Sequence, residues 1–189
     1  MNAFFTSLKM RRSTPSRLLS EPAPDDAALE RMLAAAVQVP DHGRRVPWRF
    51  IRIAGDARAR LGEALVARAL ELDPEAGEAR LGKDRHRFDS PLVVAVVARV
   101  GEDPKIPASE RFSTASCVCF ALLQAAQGCG FGAQWLTGWA AYDEKILRLL
   151  GLGPDERIAG FIHLGTAQSA PPERERPDPR DLLTDWSPA

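Results

Sequence analysis

The residues best equipped for chemistry in this 189-residue chain are Arg11-Arg12-Ser13, Pro40-Asp41-His42 and Trp135-Leu136-Thr137. Two guanidiniums followed by a hydroxyl suit bidentate and single hydrogen bonds to a phosphate. The same letters also describe a solvated basic helix end, which the helix dipole favours. His42 alone is equally well a surface or structural histidine, and Trp135 to Thr137 alone would be strand core. Gly128-Cys129-Gly130-Phe131-Gly132-Ala133 spells the dinucleotide pattern G-x-G-x-x-A. That fingerprint must follow a strand and open a helix, so that a pyrophosphate meets the helix N-terminus. Here it follows a helical stretch and opens a strand-like one, so it is read as a turn whose glycines permit close approach to a ligand. The chain contains no Gly-x-Ser-x-Gly elbow, no His-Glu-x-x-His pair and no Walker loop, which removes the best support for hydrolase and NTPase chemistry. Cys117, Cys119 and Cys129 fit neither a disulfide framework nor a common zinc spacing; they are expected to be reduced core thiols, and no metal site is expected.

These groups need elements to position them. Phe4, Phe5 and Leu8 form a short apolar stripe, predicting a helix that ends before the basic run Lys9 to Arg12. Asp25-Asp26 offers an N-cap for a helix to about Gln38, with Leu29, Met32, Leu33, Ala36 and Val37 on one face. Arg49 to Ile53 alternates polar and apolar, as a strand covered on one face does, and a long Ala/Leu/Arg/Glu helical region follows. Pro91 to Val97 is a continuous apolar, largely β-branched run, the pattern of a central strand buried on both faces. Ala115 to Ala126 reads as a buried helix ended at Gly128. Phe131 to Thr137 and Ile158 to Gly165 are strand-like, with a helix near Asp143 to Leu150 between them. This irregular order implies an α+β sandwich rather than a Rossmann alternation. The tail from about 170 is rich in Pro and charge and ends in Leu182, Leu183 and Trp186, apolar anchors that must bury somewhere, a partner subunit being one candidate.

Lys plus Arg and Asp plus Glu both number 25, so the net charge is zero and no broad attraction to nucleic acid or anionic lipid is expected. No stretch suits a signal peptide or a membrane span, so a cytoplasmic protein of one domain, residues 1–189, is expected.

Taken in order, these segments resemble the nitroreductase family, and within it the short NAD(P)H nitroreductases of bacteria. The residues that carry the resemblance are Arg11-Arg12-Ser13, Pro40-Asp41-His42 with Pro47-Trp48-Arg49-Phe50, Pro91 and its apolar strand, Lys105-Ile106-Pro107, Gly130-Phe131-Gly132-Ala133-Gln134-Trp135, and Gly160-Phe161-Ile162-His163-Leu164-Gly165-Thr166. The resemblance implies a nitroreductase-like α/β sandwich, with a central mixed, mainly antiparallel sheet flanked by helices, and a homodimer with swapped tails. It implies FMN as cofactor, held by Arg11, Arg12 and Ser13, by Trp135, Leu136 and Thr137, and by Gln38 and His42 from the other subunit. Ala125, Ala126, Gln127, Gly128, Cys129 and Gly130 correspond to a segment associated with the nicotinamide donor, although a helix end of this composition is equally a packing element. The implied activity passes electrons from NADH or NADPH through flavin N5 to nitroaromatic, quinone-like or other electron-poor small molecules by ping-pong turnover, with no catalytic side chain. A flavin-binding protein for storage or sensing on the same fold is the alternative. Larger relatives carry a basic residue four positions beyond the first arginine of the motif, where this chain has Pro15, and Arg17 is a possible substitute. They also set basic residues near the C-terminus against the phosphate, for which Arg174, Arg176 and Arg180 are the candidates. His163, on a strand, is expected to be structural.

Overall fold

The computed structural model describes residues 2–171 and 173–188; the side chains of Ala3 and Phe4, and with them part of the first helix's expected stripe, lie outside the described ones. Strand β3 (Leu92–Arg99) is the centre, and every residue from Leu92 to Ala98 is buried. It pairs antiparallel with β2 (Trp48–Ala54) on one side and with β5 (Glu156–Ala167) on the other. β5 also pairs antiparallel with β4 (Gly132–Leu136) and with the two-residue β1 (Leu19–Ser20), a strand not foreseen from the sequence. All the pairings among the described residues are antiparallel, so the parallel component of the expected mixed sheet is not among them.

Alternation along the strands makes two cores, because successive side chains point to opposite faces. Leu92, Val94, Val96, Ile162 and Leu164 face α2 (Asp26–Ala36) and α5 (Ala108–Gly128). Val93, Ala95, Val97 and Phe161 face α3 (Asp56–Leu72) and α6 (Glu144–Leu149). Helix α1 (Ala3–Met10) precedes the arginine pair, and α4 (Glu78–Arg85) packs on α3. Helix α2 is capped as expected: the Asp25 carboxylate accepts from Ala28 N–H at 2.7 Å.

Helix α5 departs from the expectation of an all-round buried element. Ala115, Val118, Cys119, Leu122, Leu123 and Ala126 are buried at helical spacing, while Ser113, Cys117 and Phe120 lie exposed on the opposite face. The thiols divide accordingly. Cys119 is a core thiol, pushed up to about 12 by burial, but Cys117 sits on the outer helix face and Cys129 at the helix end, both exposed. An apolar composition does not show which face a sheet covers.

The tail leaves the body, with Trp186 85% exposed and Leu182 and Leu183 nearly as open. The chain exposes 11653 Å², where a compact monomer of this mass exposes about 8,900 Å². No helix among the described residues is long and apolar enough to cross a membrane.

Candidate functional site

The arginine motif is tied to the start of β4. Thr14 N–H donates to Ala133 O at 2.9 Å and Ser16 N–H to Gln134 Oε1 at 2.6 Å. Gly132 permits this approach, since a Cβ there would lie 2.7 Å from Leu19 Cδ2 and 3.0 Å from Thr14 Oγ1. In the turn between α5 and β4, Gly132 is thus required by close packing, whereas Gly130 has φ 81 and, like Gly128, faces open space.

The two arginines take different parts. Arg12 Nη1 donates to Lys9 O at 2.7 Å and to Arg11 O at 3.2 Å, satisfying carbonyls at the end of α1. Arg11 Nη1 reaches Ser13 Oγ at 3.3 Å. Its ionisation is shifted down by partial burial first, then by repulsion from Arg176, Arg12 and Arg174, with no acidic group offsetting them. Guanidiniums from both ends of the chain thus repel one another here. Arg180, the third tail candidate, is turned onto its neighbour Asp178, with Nε 3.1 Å from each carboxylate oxygen.

Beside this cluster is a cavity of 250 Å³ lined by Arg12, Thr14, Gln127, Gly130, Gly132 and Pro171, among others. Of the segment 125–130, only Gln127 and Gly130 line it. Ala126 belongs to the core, and the turn spends its amides closing the helix: Cys129 N–H donates to Ala125 O at 3.0 Å and Phe131 N–H to Ala126 O at 2.9 Å.

Further along β4, Trp135 is held by an irregularity in β5. Strand β5 carries one residue more than β3 at Ala159, a β-bulge, and the Ala159 carbonyl accepts from Trp135 Nε1 at 3.1 Å. The indole lies against Gly160, where a Cβ would be 2.0 Å from Trp135 Nε1. Leu136 and Thr137 follow, half-buried, and Gly138 turns the chain with φ 80. From Gly132 to Thr137 an extended strand covers about 17 Å. The arginine cluster and Trp135 to Thr137 therefore stand at the two ends of one strand.

Gln38 and His42 are elsewhere. His42 Nδ1 is 2.7 Å from Glu110 Oε2, in the first turn of α5, whereas Gln127 is in its last turn. That separation is about 25 Å of helix axis. Gln38 is exposed, its amide making only a 3.5 Å contact to Ala34 O. The structure brings together residues 11–14, 127–133 and the strand to 137, and it leaves His42 at the other end of α5 and Gln38 exposed just beyond α2.

His163 is structural as expected. It is 1% exposed, 3.0 Å from Ser90 Oγ, and stacked on Phe88 with ring centroids 5.9 Å apart. Burial, then Arg87, pushes its pKa down to about 4, so it is neutral at physiological pH. Arg174 and Arg176 were candidates only through the family resemblance, and the packing of Gly160 on Trp135 has no local signal: each depends on a partner far away in the chain.

The sequence profile described as the nitroreductase family matches residues 8–166. A protein of Escherichia coli K12 assigned as an NAD(P)H nitroreductase, YdjA, is 33% identical over 179 residues, covering 94% of this chain and 96% of its own. Among solved structures, a nitroreductase-like family protein from Bacillus cereus superposes with a TM-score of 0.82 at 22% identity, covering 98% of this chain and 97% of that one. A protein from Desulfovibrio desulfuricans assigned as a nitroreductase, solved in complex with FMN, superposes with a TM-score of 0.76 at 22% identity, covering 100% of this chain and 99% of that one.

Proposed function

The chain belongs to the nitroreductase family, and from that premise we propose that it is an FMN-dependent oxidoreductase that uses NADH or NADPH to reduce electron-poor small molecules such as nitroaromatics and quinones by ping-pong turnover. The observation that carries the reading is the arginine motif pinned to the start of β4 by Thr14 and Ser16, with the partly buried Arg11 repelled by Arg176, Arg12 and Arg174. A terminal phosphate supplies an opposite charge and accepts several guanidinium hydrogen bonds at once. One structural relative carries FMN, which suits this donor set.

In this reading Arg11, Arg174 and Arg176 hold the phosphate, Ser13 meets the phosphate end or the ribityl chain, and Trp135, Leu136 and Thr137 face the ring. The run from Gly132 to Thr137 along which the two groups lie, about 17 Å, is of the order of the cofactor itself. Arg12 contributes charge while anchoring the end of α1. When bound, FMN supplies hydride acceptance at N5 and its onward transfer. The chain's own residues then bind, orient and exclude water, which is why neither a nucleophile nor a metal is required.

Gln38 and His42 reach this flavin from a second copy in this reading, since within one protomer His42 lies at the far end of α5. The homodimer is supported by the exposed outer face of α5, by the tail's unburied apolar anchors and by the excess accessible surface. The experiment is direct: the purified protein absorbs as a flavoprotein or takes up added FMN, and NADH or NADPH bleaches it. Protein that neither contains nor binds FMN refutes the proposal. Bound FMN that neither nucleotide reduces would favour storage or sensing.

A further inference from the structure

Beneath the end of β4 lies a polar cluster that the proposed flavin contacts do not use. Asp84 is 2% exposed, and its Oδ1 accepts from Arg87 Nη2 and from Trp139 Nε1, each at 2.9 Å. Its Oδ2 is buried without a partner, and so is Arg87 Nε. The other edge of the guanidinium presses against Gly138, where a Cβ would lie 2.7 Å from Arg87 Nη1. That glycine, with φ 80, immediately follows Trp135 to Thr137.

A half-buried ion pair with unused hydrogen-bonding capacity contributes little stability, because desolvation of the carboxylate offsets the attraction. As a fastening for the turn it is an expensive arrangement. As a source of field it is well placed: the carboxylate holds one side of the guanidinium, and the positive side meets the turn. His163, buried nearby, also feels Arg87 as a positive charge.

We propose that Arg87 is the cation that favours the reduced state of the bound flavin, acting across the Thr137–Gly138 turn. The inference rests on the FMN reading above. Hydride transfer moves two electrons and one proton from the nicotinamide to the flavin, oxidising the donor and leaving the flavin one unit more negative. That charge accumulates at the pyrimidine edge of the ring, and a cation held in a partly desolvated position favours it. Arg87 is a positioning and electrostatic residue, acting through its charge and not through proton transfer.

The test is the midpoint potential of FMN in the holoprotein, read against a reference dye. Arg87→Gln is expected to cost about tenfold in the preference for reduced over oxidised flavin, a fall of about 30 mV for a two-electron couple. Arg87→Lys should recover most of that loss. If Arg87→Gln alone does not fold, because it strands the Asp84 carboxylate, the pair Asp84→Asn with Arg87→Gln removes both charges and keeps an acceptor for Trp139. A smaller fall in the same direction is expected, because the carboxylate's opposing field is removed with the guanidinium. An unchanged potential in variants that bind FMN overturns the inference, including the case where only the melting temperature drops, which would make the pair a brace. A wild-type protein without flavin overturns the FMN reading and this inference with it, so the two failures are distinguishable.

Discussion

Replacing Gly160 by alanine tests how the aromatic wall at the end of β4 is held. The new methyl would stand 2.0 Å from Trp135 Nε1 and 2.4 Å from Cδ1. To reach ordinary contact the indole must move by roughly 1.4 Å, which stretches its 3.1 Å hydrogen bond to Ala159 O beyond use. Overpacking of this kind costs about 1–3 kcal/mol, and a half-buried donor left unpaired adds about 1–3 kcal/mol. A net loss of about 3 kcal/mol corresponds to a fall in Tm of roughly 6–12 °C for a chain of this size. The assay is urea denaturation followed by tryptophan fluorescence and far-ultraviolet circular dichroism, with the midpoint moving and the slope unchanged. Trp135→Leu removes the indole, so in that background Gly160→Ala should cost at least about 1 kcal/mol less, a coupling expected only of residues in contact. A midpoint within about 0.5 kcal/mol of wild type, or strict additivity in the double variant, would refute the packing argument. With it would go the reason for placing Trp135 as a fixed wall of the site.

Other consequences can be measured on the same protein. Arg11→Ala should weaken FMN binding by about 10- to 150-fold, the loss of a charge-assisted hydrogen bond worth about 1.5–3 kcal/mol, while leaving the unliganded protein no less stable because it relieves repulsion; an unchanged Kd in titration would sink the phosphate assignment. His163 is held neutral with its pKa near 4 against an ordinary value of 6.5, so the unfolded chain binds its proton first as pH falls. Its contribution is complete above about pH 6.5 and is lost progressively toward pH 4, amounting to about 3 kcal/mol; His163→Gln should flatten that part of the stability profile. Glu156 is held at about 2, chiefly by its hydrogen bond to Arg49. The stability it contributes is present above its ordinary 4.5 and lost toward pH 2, a slope that Arg49→Gln should remove. Toward a thiol reagent, Cys119 should react only on unfolding and Cys129 at once. Cys117 on the outer face of α5 should become protected as protein concentration rises through dimer formation, and sedimentation provides the parallel measurement.

Much of the fold is legible because its determinants are local. The β-branched run at 92–97 admits little but a buried strand, and Asp25 caps its helix through a bond three residues away. The strand at 49–53, read as covered on one face, is instead packed on both, with Phe50 against one core and Ile51 and Ile53 against the other. The order of modest motifs from Arg11 to Thr166 also carries the family, which the profile match over residues 8–166 bears out. Local pattern fails where a partner is distant. The letters of α5 do not say which face meets the sheet, so Cys117 and Cys119, two residues apart, have opposite surroundings.

Arg11 and Arg12 are identical in type and adjacent, yet one closes a helix and the other joins charges from a tail more than 160 residues on. Trp135 needs Gly160, and Asp84 needs both Arg87 and Trp139, pairings that no spacing rule encodes. Side-chain type and period depend on covalent neighbours and can be read from the chain. Which groups lose water together, and which charges then face one another, depends on how strands and helices pack, and only the tertiary structure decides it.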